Sequence, residues 1–448
     1  MNNIKHVLLI IASMGFLITD ATGQNPLIQD QFTADPTARV FNGRVYVYPS
    51  HDIPAQPGRG RADWFVMEDY HVFSSSNLSD WTDHGIILRQ NKVNWVDSTS
   101  FSMWAPDCIE RNGKYYFYFP SNPKAVYGKG FTVGVAISGN PDGPFIPQPE
   151  PIKKILGIDP NILIDKDGQA YIFWSQGRIF AAKLKHDMLE LESEPRVVGE
   201  LPGKGLIEGP FVFERNGIYY MTYPHVQNKV ERLEYAISDN PMGPFKFAGV
   251  IMDESPSGCW TNHQSILNYN NQWYLFYHHN DLSPKFDKNR SIRADSLFFN
   301  VDGTIRKVIP TLRGVGLTEA THEIQIDRYS SISDNGASIS FIDSLNTFKG
   351  WKAILGTKNA WVQYNAVNFG DRKPKSVQIR ALSQHGGILQ LFLDKADGPL
   401  LTEIKIPKST EWNTVITRKL KLRNGIHNLI VSLKDNNPVE VDWVKFEK

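Results

Sequence analysis

Cysteine is almost missing: Cys108 and Cys259 are the only two in 448 residues. One pair cannot make a disulfide framework, and two thiols cannot make a four-Cys zinc site. A single bridge and a pair of buried free thiols remain equal readings. An excess of one charge is missing too, with 48 Lys and Arg against 47 Asp and Glu, a formal net charge of +1. No field exists to hold nucleic acid or an anionic membrane, so the expected partner is neutral or recognised locally. Beyond the N terminus no apolar run approaches the ~20 residues of a membrane helix, so no span is expected. Amphipathic stretches of 3.6-residue period are also lacking.

What is present begins with a leader. Residues 7–18 are almost unbroken apolar behind Lys5, and small residues follow to Gly23. The run is too short to cross a bilayer and has the layout of a signal peptide covering residues 1–23; no cysteine follows to carry a lipid. An exported protein, periplasmic or extracellular, is expected, and a monomer. Aromatic residues make up 12% of the chain, including 11 Trp and 17 Tyr. Flat apolar rings edged with polar groups suit sugars, but strands favour aromatics anyway, and composition does not separate the two.

The chain then repeats itself. Five tight turns, Asn42-Gly43, Asn112-Gly113, Asp167-Gly168, Asn216-Gly217 and Asn270-Asn271, each precede a run rich in aromatics. Asn-Gly and its relatives accept positive φ at both central positions, so each predicts a two-residue hairpin. A further β-rich segment follows each, at residues 70–74, 131–137, 178–184, 233–237 and 292–299. A hairpin plus another strand pair, recurring every ~50 to 70 residues, is the sequence form of a four-stranded propeller blade. The expected fold is all-β: a five-bladed β-propeller over residues 24–322, then a β-sandwich of jelly-roll type over residues 323–448, where short alternating strands take over.

The innermost strand of each blade lines a propeller's axis, so the residues ahead of it ring a central pocket. Those positions hold Asp35-Pro36, Trp104-Ala105-Pro106-Asp107, Asp159-Pro160, Glu208-Gly209-Pro210 and Asn262-His263-Gln264. One Asp-Pro is ordinary turn chemistry. An ionisable group at the same place in five repeats points instead to a ring. Carboxylates gathered in a partly apolar pocket push their pKa values apart, leaving one protonated acid and one ionised base, as glycoside hydrolysis requires.

These heads and turns resemble glycoside hydrolase family 43, a five-bladed propeller family, over about 300 residues. The resemblance implies Asp35 as general base, Glu208 as general acid and Asp159 as the group that tunes and orients the acid. His263 resembles a histidine under the pocket that often carries calcium, so Ca2+ is the implied metal and no organic cofactor is expected. Arg293 resembles an arginine that supports the sugar and the carboxylates. The C-terminal part resembles a family 6 carbohydrate-binding module, although Asp327 stands where a structural-calcium Glu is expected. Trp351 and Trp361 are candidates to stack on sugar, and each serves equally well as core.

The mechanism implied is inversion by single displacement, with Trp104 and Asp107 walling the sugar subsite and His51 and Asp52 as further pocket candidates. His278 and His279 are assigned to core or surface. The substrate expected is a terminal α-L-arabinofuranosyl residue on an arabinose- or xylose-containing polysaccharide or oligosaccharide. A β-D-xylosidase, or a galactan-active relative, is the alternative. A catalytically silent, sugar-binding propeller is the reading of another class, and the complete carboxylate set opposes it.

Overall fold

A computed structural model describes residues 25–326, 329–345, 351–421 and 424–447. The leader and Asp327 lie outside the described residues. The only helical segments among these are two three-residue 3-10 turns, Gln90–Lys92 and Ala125–Tyr127, and none is long and apolar enough to cross a membrane.

Five antiparallel sheets come first, each in plain sequence order, and form the blades of a β-propeller. Blade one holds β1 (Phe32–Phe41), β2 (Arg44–Asp52), β3 (Asp69–Ser75) and β4 (Thr82–Arg89). Blade two holds β5 (Asp107–Arg111), β6 (Lys114–Ser121), β7 (Thr132–Ser138) and β8 (Ile146–Pro147). Blade three holds β9 (Ile158–Ile164), β10 (Ala170–Ser175), β11 (Ile179–Leu184) and β12 (Arg196–Val197). Blade four holds β13 (Phe211–Arg215), β14 (Ile218–Val226), β15 (Glu231–Ser238) and β16 (Lys246–Met252). Blade five has three strands, not the four expected: β17 (Ser265–Tyr269), β18 (Gln272–His279) and β19 (Ser291–Leu297). Residues 25–33 run along β19 instead. Leu27 N–H donates to the Ile292 carbonyl at 2.9 Å and Thr33 N–H to that of Arg290 at 3.0 Å, so the chain's first segment closes the ring.

Four of the five predicted turns have positive φ at both central residues, as at Asn42 (51°) and Gly43 (75°). The third does not. Only Gly168 is left-handed there, and the strands part at Ile164 and Ala170, leaving a wider loop closed by Gly168 N–H on the Asp165 carbonyl at 2.8 Å. Asp167 is not Asn, and its carboxylate accepts instead from Gln169 N–H at 2.9 Å.

Blades do not pair with one another through strand ladders, so other contacts must hold the ring. Aromatic and aliphatic residues fill each gap: Tyr48 and Phe117 between blades one and two, Tyr118 and Trp174 between two and three, Phe173 and Tyr223 between three and four, Tyr235 and Tyr277 between four and five, and Phe73 and Phe276 between five and one. A polar belt near the axis joins the same neighbours. Thr37 Oγ1 donates to the Pro106 carbonyl (2.7 Å), and the Asp107 carboxylate accepts from Arg39, Asn161 and Ile162 N–H. Asn161 Oδ1 accepts from Val212 N–H (2.8 Å), Gln264 Nε2 donates to the Gly209 carbonyl (2.9 Å), and Ser265 Oγ to that of Pro36 (2.6 Å). These bonds pass between adjacent blades and pair polar groups that burial near the axis would otherwise leave costly.

The C-terminal domain is a sandwich of two six-stranded sheets around Val362, Tyr364, Ile379, Leu391, Val431 and Val444. Thr318–Glu319 already pairs with Trp361–Asn368, so the sandwich sheets begin ahead of residue 323. Cys108 and Cys259 are both buried and both free.

Candidate active site

Three blade heads share one backbone device. Asp35 (φ 47°), Asp159 (φ 57°) and Gly209 (φ 53°) each sit left-handed immediately before a proline. For an aspartate this conformation is sparsely populated and costs on the order of 1–3 kcal/mol, so the surrounding contacts must impose it. Glu208 is therefore one residue off the register of the two aspartates, with Gly209 in their position. A Cβ at Gly209 would come within 2.9 Å of Pro224 and 3.1 Å of His263, so no side chain fits there.

Asp35 is 5% exposed and fully engaged. Oδ2 accepts from Ser50 Oγ at 2.7 Å and Oδ1 from Arg290 Nη1 at 2.8 Å. Burial works to raise its pKa, but Arg290 and the other donors prevail and hold it at about 2. Arg290 is itself gripped by Asp52, through Nε to Oδ2 and Nη2 to Oδ1, both at 2.9 Å, and lies over the Phe65 ring at 4.7 Å. His278 completes the cradle: Asp35 N–H donates to its Nδ1 at 3.1 Å, and its Nε2 lies 3.1 Å from Thr261 Oγ1. A ring nitrogen that accepts an N–H bears no proton, so His278 is neutral. Burial, foremost, with Arg290 beside it, takes its pKa down to about 3.

Asp159 and Glu208 behave oppositely to Asp35. Asp159 is 5% exposed and accepts from Gly209 N–H at 3.1 Å. Burial first, then the charges of Glu208 and Asp35, push its pKa well above the usual carboxylate range. Glu208 is partly exposed and reaches a cleft lined by Phe131, Leu156, Ile158 and Gln176. Its pKa is also raised, by burial and then by Asp35, while Glu231 and Arg290 pull the other way. Glu231 was not singled out from sequence. It is completely buried at the start of β15, with Oε2 accepting from Asn262 N–H at 2.6 Å and Oε1 facing no donor. Burial, then the charge of Glu208, keeps its pKa well above the normal range. A neutral Glu231 beside Glu208 follows. No motif marks it, because it lies on the third strand of its blade.

Several expected residues lie elsewhere. Arg293 does not reach the carboxylates: Nη1 binds Asp281 at 2.8 Å and Nη2 the Thr311 carbonyl at 2.7 Å. The arginine among them is Arg290, three residues earlier, because alternation along β19 turns Arg293 to the far side. Asp107 does not wall the pocket; it is 0% exposed in the belt with Arg39. His51 points away from Asp35 and pairs with Asp69 at 2.6 Å, whereas Asp52 acts through Arg290. His278, assigned to core or surface, contacts the candidate base. Trp104 lies 4.4 Å from Phe131 and 5.9 Å from Phe65, and Phe65 stacks on Trp260 at 6.2 Å. Those four rings form an aromatic wall.

His263 lies 3.9 Å from Asp35 and is partly exposed. Burial, mainly, lowers its pKa, so a neutral imidazole stands beside the ionised Asp35. Both Asp35 oxygens are already committed, so the protein supplies one nitrogen to a cation here and water must supply the rest. Calcium binds oxygen ligands and tolerates water among them, and a hydrated ion fits this donor set.

Comparison with known proteins agrees with this geometry. Residues 23–305 match the model of glycosyl hydrolases family 43, and residues 332–448 that of carbohydrate binding module family 6. Xylosidase/arabinosidase 43A of Humicola insolens is 36% identical over 329 residues, covering 62% of this chain and 98% of that protein. The arabinoxylan arabinofuranohydrolase of Paenibacillus polymyxa is 25% identical over 473 residues, covering 90% of this chain and 71% of that protein. A β-xylosidase/α-arabinofuranosidase from a compost microbial metagenome, solved with xylotriose in a calcium-free form, superposes with a TM-score of 0.56 at 32% identity, over 64% of this chain and 98% of its own. The family match takes in Asp35, Asp159, Glu208 and Arg290 and spans more than half the sequence, and the chain belongs to glycosyl hydrolases family 43, with a family 6 carbohydrate-binding module as its second domain.

Proposed function

We infer that this glycoside hydrolase is exo-acting and inverting, and removes terminal α-L-arabinofuranosyl residues from plant cell-wall polysaccharide or oligosaccharide. One observation carries the reading: in the same pocket Asp35 is held ionised at a pKa of about 2 while Glu208 is pushed upward. An ionised base and a protonated acid are the two groups an inverting displacement needs. Asp35 takes a proton from the attacking water, and Glu208 donates one to the departing oxygen. Asp159 accepts from Gly209 N–H and so fixes the backbone that carries Glu208. Arg290 holds Asp35 in place, and the wall of Phe65, Trp104, Phe131 and Trp260 offers apolar faces to the sugar.

Arabinofuranose is favoured because relatives alignable across both domains, such as the Paenibacillus polymyxa protein, carry that activity in their names. A β-D-xylosidase is the second reading, favoured by the Humicola insolens relative over the propeller alone. Turnover of aryl α-L-arabinofuranoside against aryl β-D-xyloside, followed by arabinoxylan and arabinan, decides between them. Equal inertness on all four overturns both readings and leaves a sugar-binding propeller. Export by the N-terminal leader and sugar binding by the second domain are part of the same proposal. A calcium on His263, with waters completing its shell, would add positive charge near the pocket floor. Prolonged chelation should then lower turnover and melting temperature together, and unchanged values would remove the ion from the proposal.

A further inference from the structure

Strand β2 turns two faces to different tasks. Ser50 and Asp52 reach Asp35 and Arg290, and His51 between them is sent to the opposite side, where it meets β3. There His51, Asp69 and His71 each present a ligand atom, all within 4.8 Å of one another. The two imidazole rings stand 4.9 Å apart at 68°.

His71 is oriented from behind, whereas His51 is paired inside the cluster. His51 Nδ1 lies 2.6 Å from Asp69 Oδ1, and His71 Nδ1 lies 3.1 Å from each oxygen of Asp83 on β4. Asp83 is in turn fixed by Gln31 Nε2 at 3.0 Å and Gly85 N–H at 2.7 Å. For His71, an Nδ1–H donated to Asp83 leaves the Nε2 lone pair free, the wiring that metal-binding histidines use, and His51 Nδ1 and Asp69 Oδ1 stand side by side as the other edge of the cluster. Neither Nε2 hydrogen-bonds to another described residue.

We propose that His51, His71 and Asp69 form a second cation site on blade one, taking a zinc-class dication and tying β2 to β3 outside the sugar pocket. Two nitrogens and one carboxylate oxygen select zinc, cobalt or nickel over calcium and magnesium, which require oxygen. Asp83 serves as the outer partner of His71, and water fills the remaining position. The site shares no residue with the pocket and stands whether or not the substrate reading does.

The test uses the full-length protein without an oligohistidine tag. Zinc added to metal-free protein should bind with one tight equivalent and raise the melting temperature, as binding to the folded state alone requires. Cobalt should give the intense visible bands of a low-coordinate site. His51→Gln with His71→Gln should remove the equivalent, the bands and the shift, while His263→Gln keeps all three. If the double variant does not fold, His71→Gln alone should weaken zinc at least tenfold. Zinc stoichiometry unchanged by these substitutions, or no tight equivalent in the native chain, would overturn the proposal.

Discussion

Arg290 meets Asp35 at 2.8 Å while its other nitrogens hold Asp52, so one guanidinium both ionises the candidate base and is itself locked in place. Without that charge, burial of Asp35 has its strongest opponent removed. Arg290→Met should therefore raise the Asp35 pKa from about 2 toward or beyond the ordinary ~4. A base must be ionised to act, so the acid limb of kcat/KM should move upward in pH. Turnover near neutrality should fall by about 10²-fold, the usual loss for one preorganised charge partner. An unmoved acid limb would mean that Arg290 supports only Asp52.

The acid and the base should fail differently. Glu208→Gln should cost about 10² to 10⁴ on substrates with poor leaving groups and far less on activated aryl glycosides, whose oxygen needs no proton. Asp35→Asn should lose a similar factor on both while sugar binding persists, because base catalysis is expressed in the transition state. Azide should partly restore the Asp35 variant and yield a glycosyl azide of inverted configuration. Loss that ignores leaving-group pKa in Glu208→Gln would take the acid role from Glu208.

Glu231 gives a sharper test of the proton inventory. It is completely buried and its pKa is raised by burial and then by Glu208, so it is neutral at the pH of catalysis. Glu231→Gln keeps that neutrality, an acceptor for Asn262 N–H and a donor toward Glu208. The basic limb of the pH profile, set by Glu208 losing its proton, should then stay put. Glu231→Leu removes the donor that steadies ionised Glu208, so the limb should move to higher pH. A Gln variant whose limb drops toward acid would show that Glu231 carries a charge, since removing a negative neighbour makes Glu208 easier to ionise.

The repeat made the propeller and three carboxylates legible because both are local: a turn dipeptide, then a residue ahead of a proline. Glu231, Arg290 and His278 escaped because they enter the pocket from second and third strands or from loops, where no repeat position marks them. Arg293 was the natural choice by motif, and a shift of three residues along β19 decides the matter only when the strand's faces are known. Asp107 misled for a related reason. It follows its proline by one residue, whereas Asp35 and Asp159 precede theirs, and that offset moves a carboxylate from the pocket into the polar belt between blades.

The second domain should be separable from the chemistry, provided the cut respects the sheets. Thr318–Glu319 and Ile324–Gln325 pair with strands of the sandwich, and Arg313 ties the joint by donating to the Gly314 and Gly316 carbonyls. A chain ending at Leu317 leaves all five blades and the 25–33 segment intact, with Ser79 Oγ still bonded to the Leu317 carbonyl at 2.8 Å. It should keep its rate on small aryl glycosides to within a factor of about two. Efficiency on polymer should drop by about tenfold or more, because a tethered sugar-binding module raises the effective concentration of substrate at the pocket. Trp351, 39% exposed and stacked on Phe341 at 3.8 Å, is an aromatic surface suited to that binding. In the full chain, Trp351→Ala should reproduce the loss on polymer and leave aryl glycoside turnover alone. Equal action on polymer by the shortened chain would take sugar delivery away from the sandwich, and loss of folding would make it a buttress of the propeller.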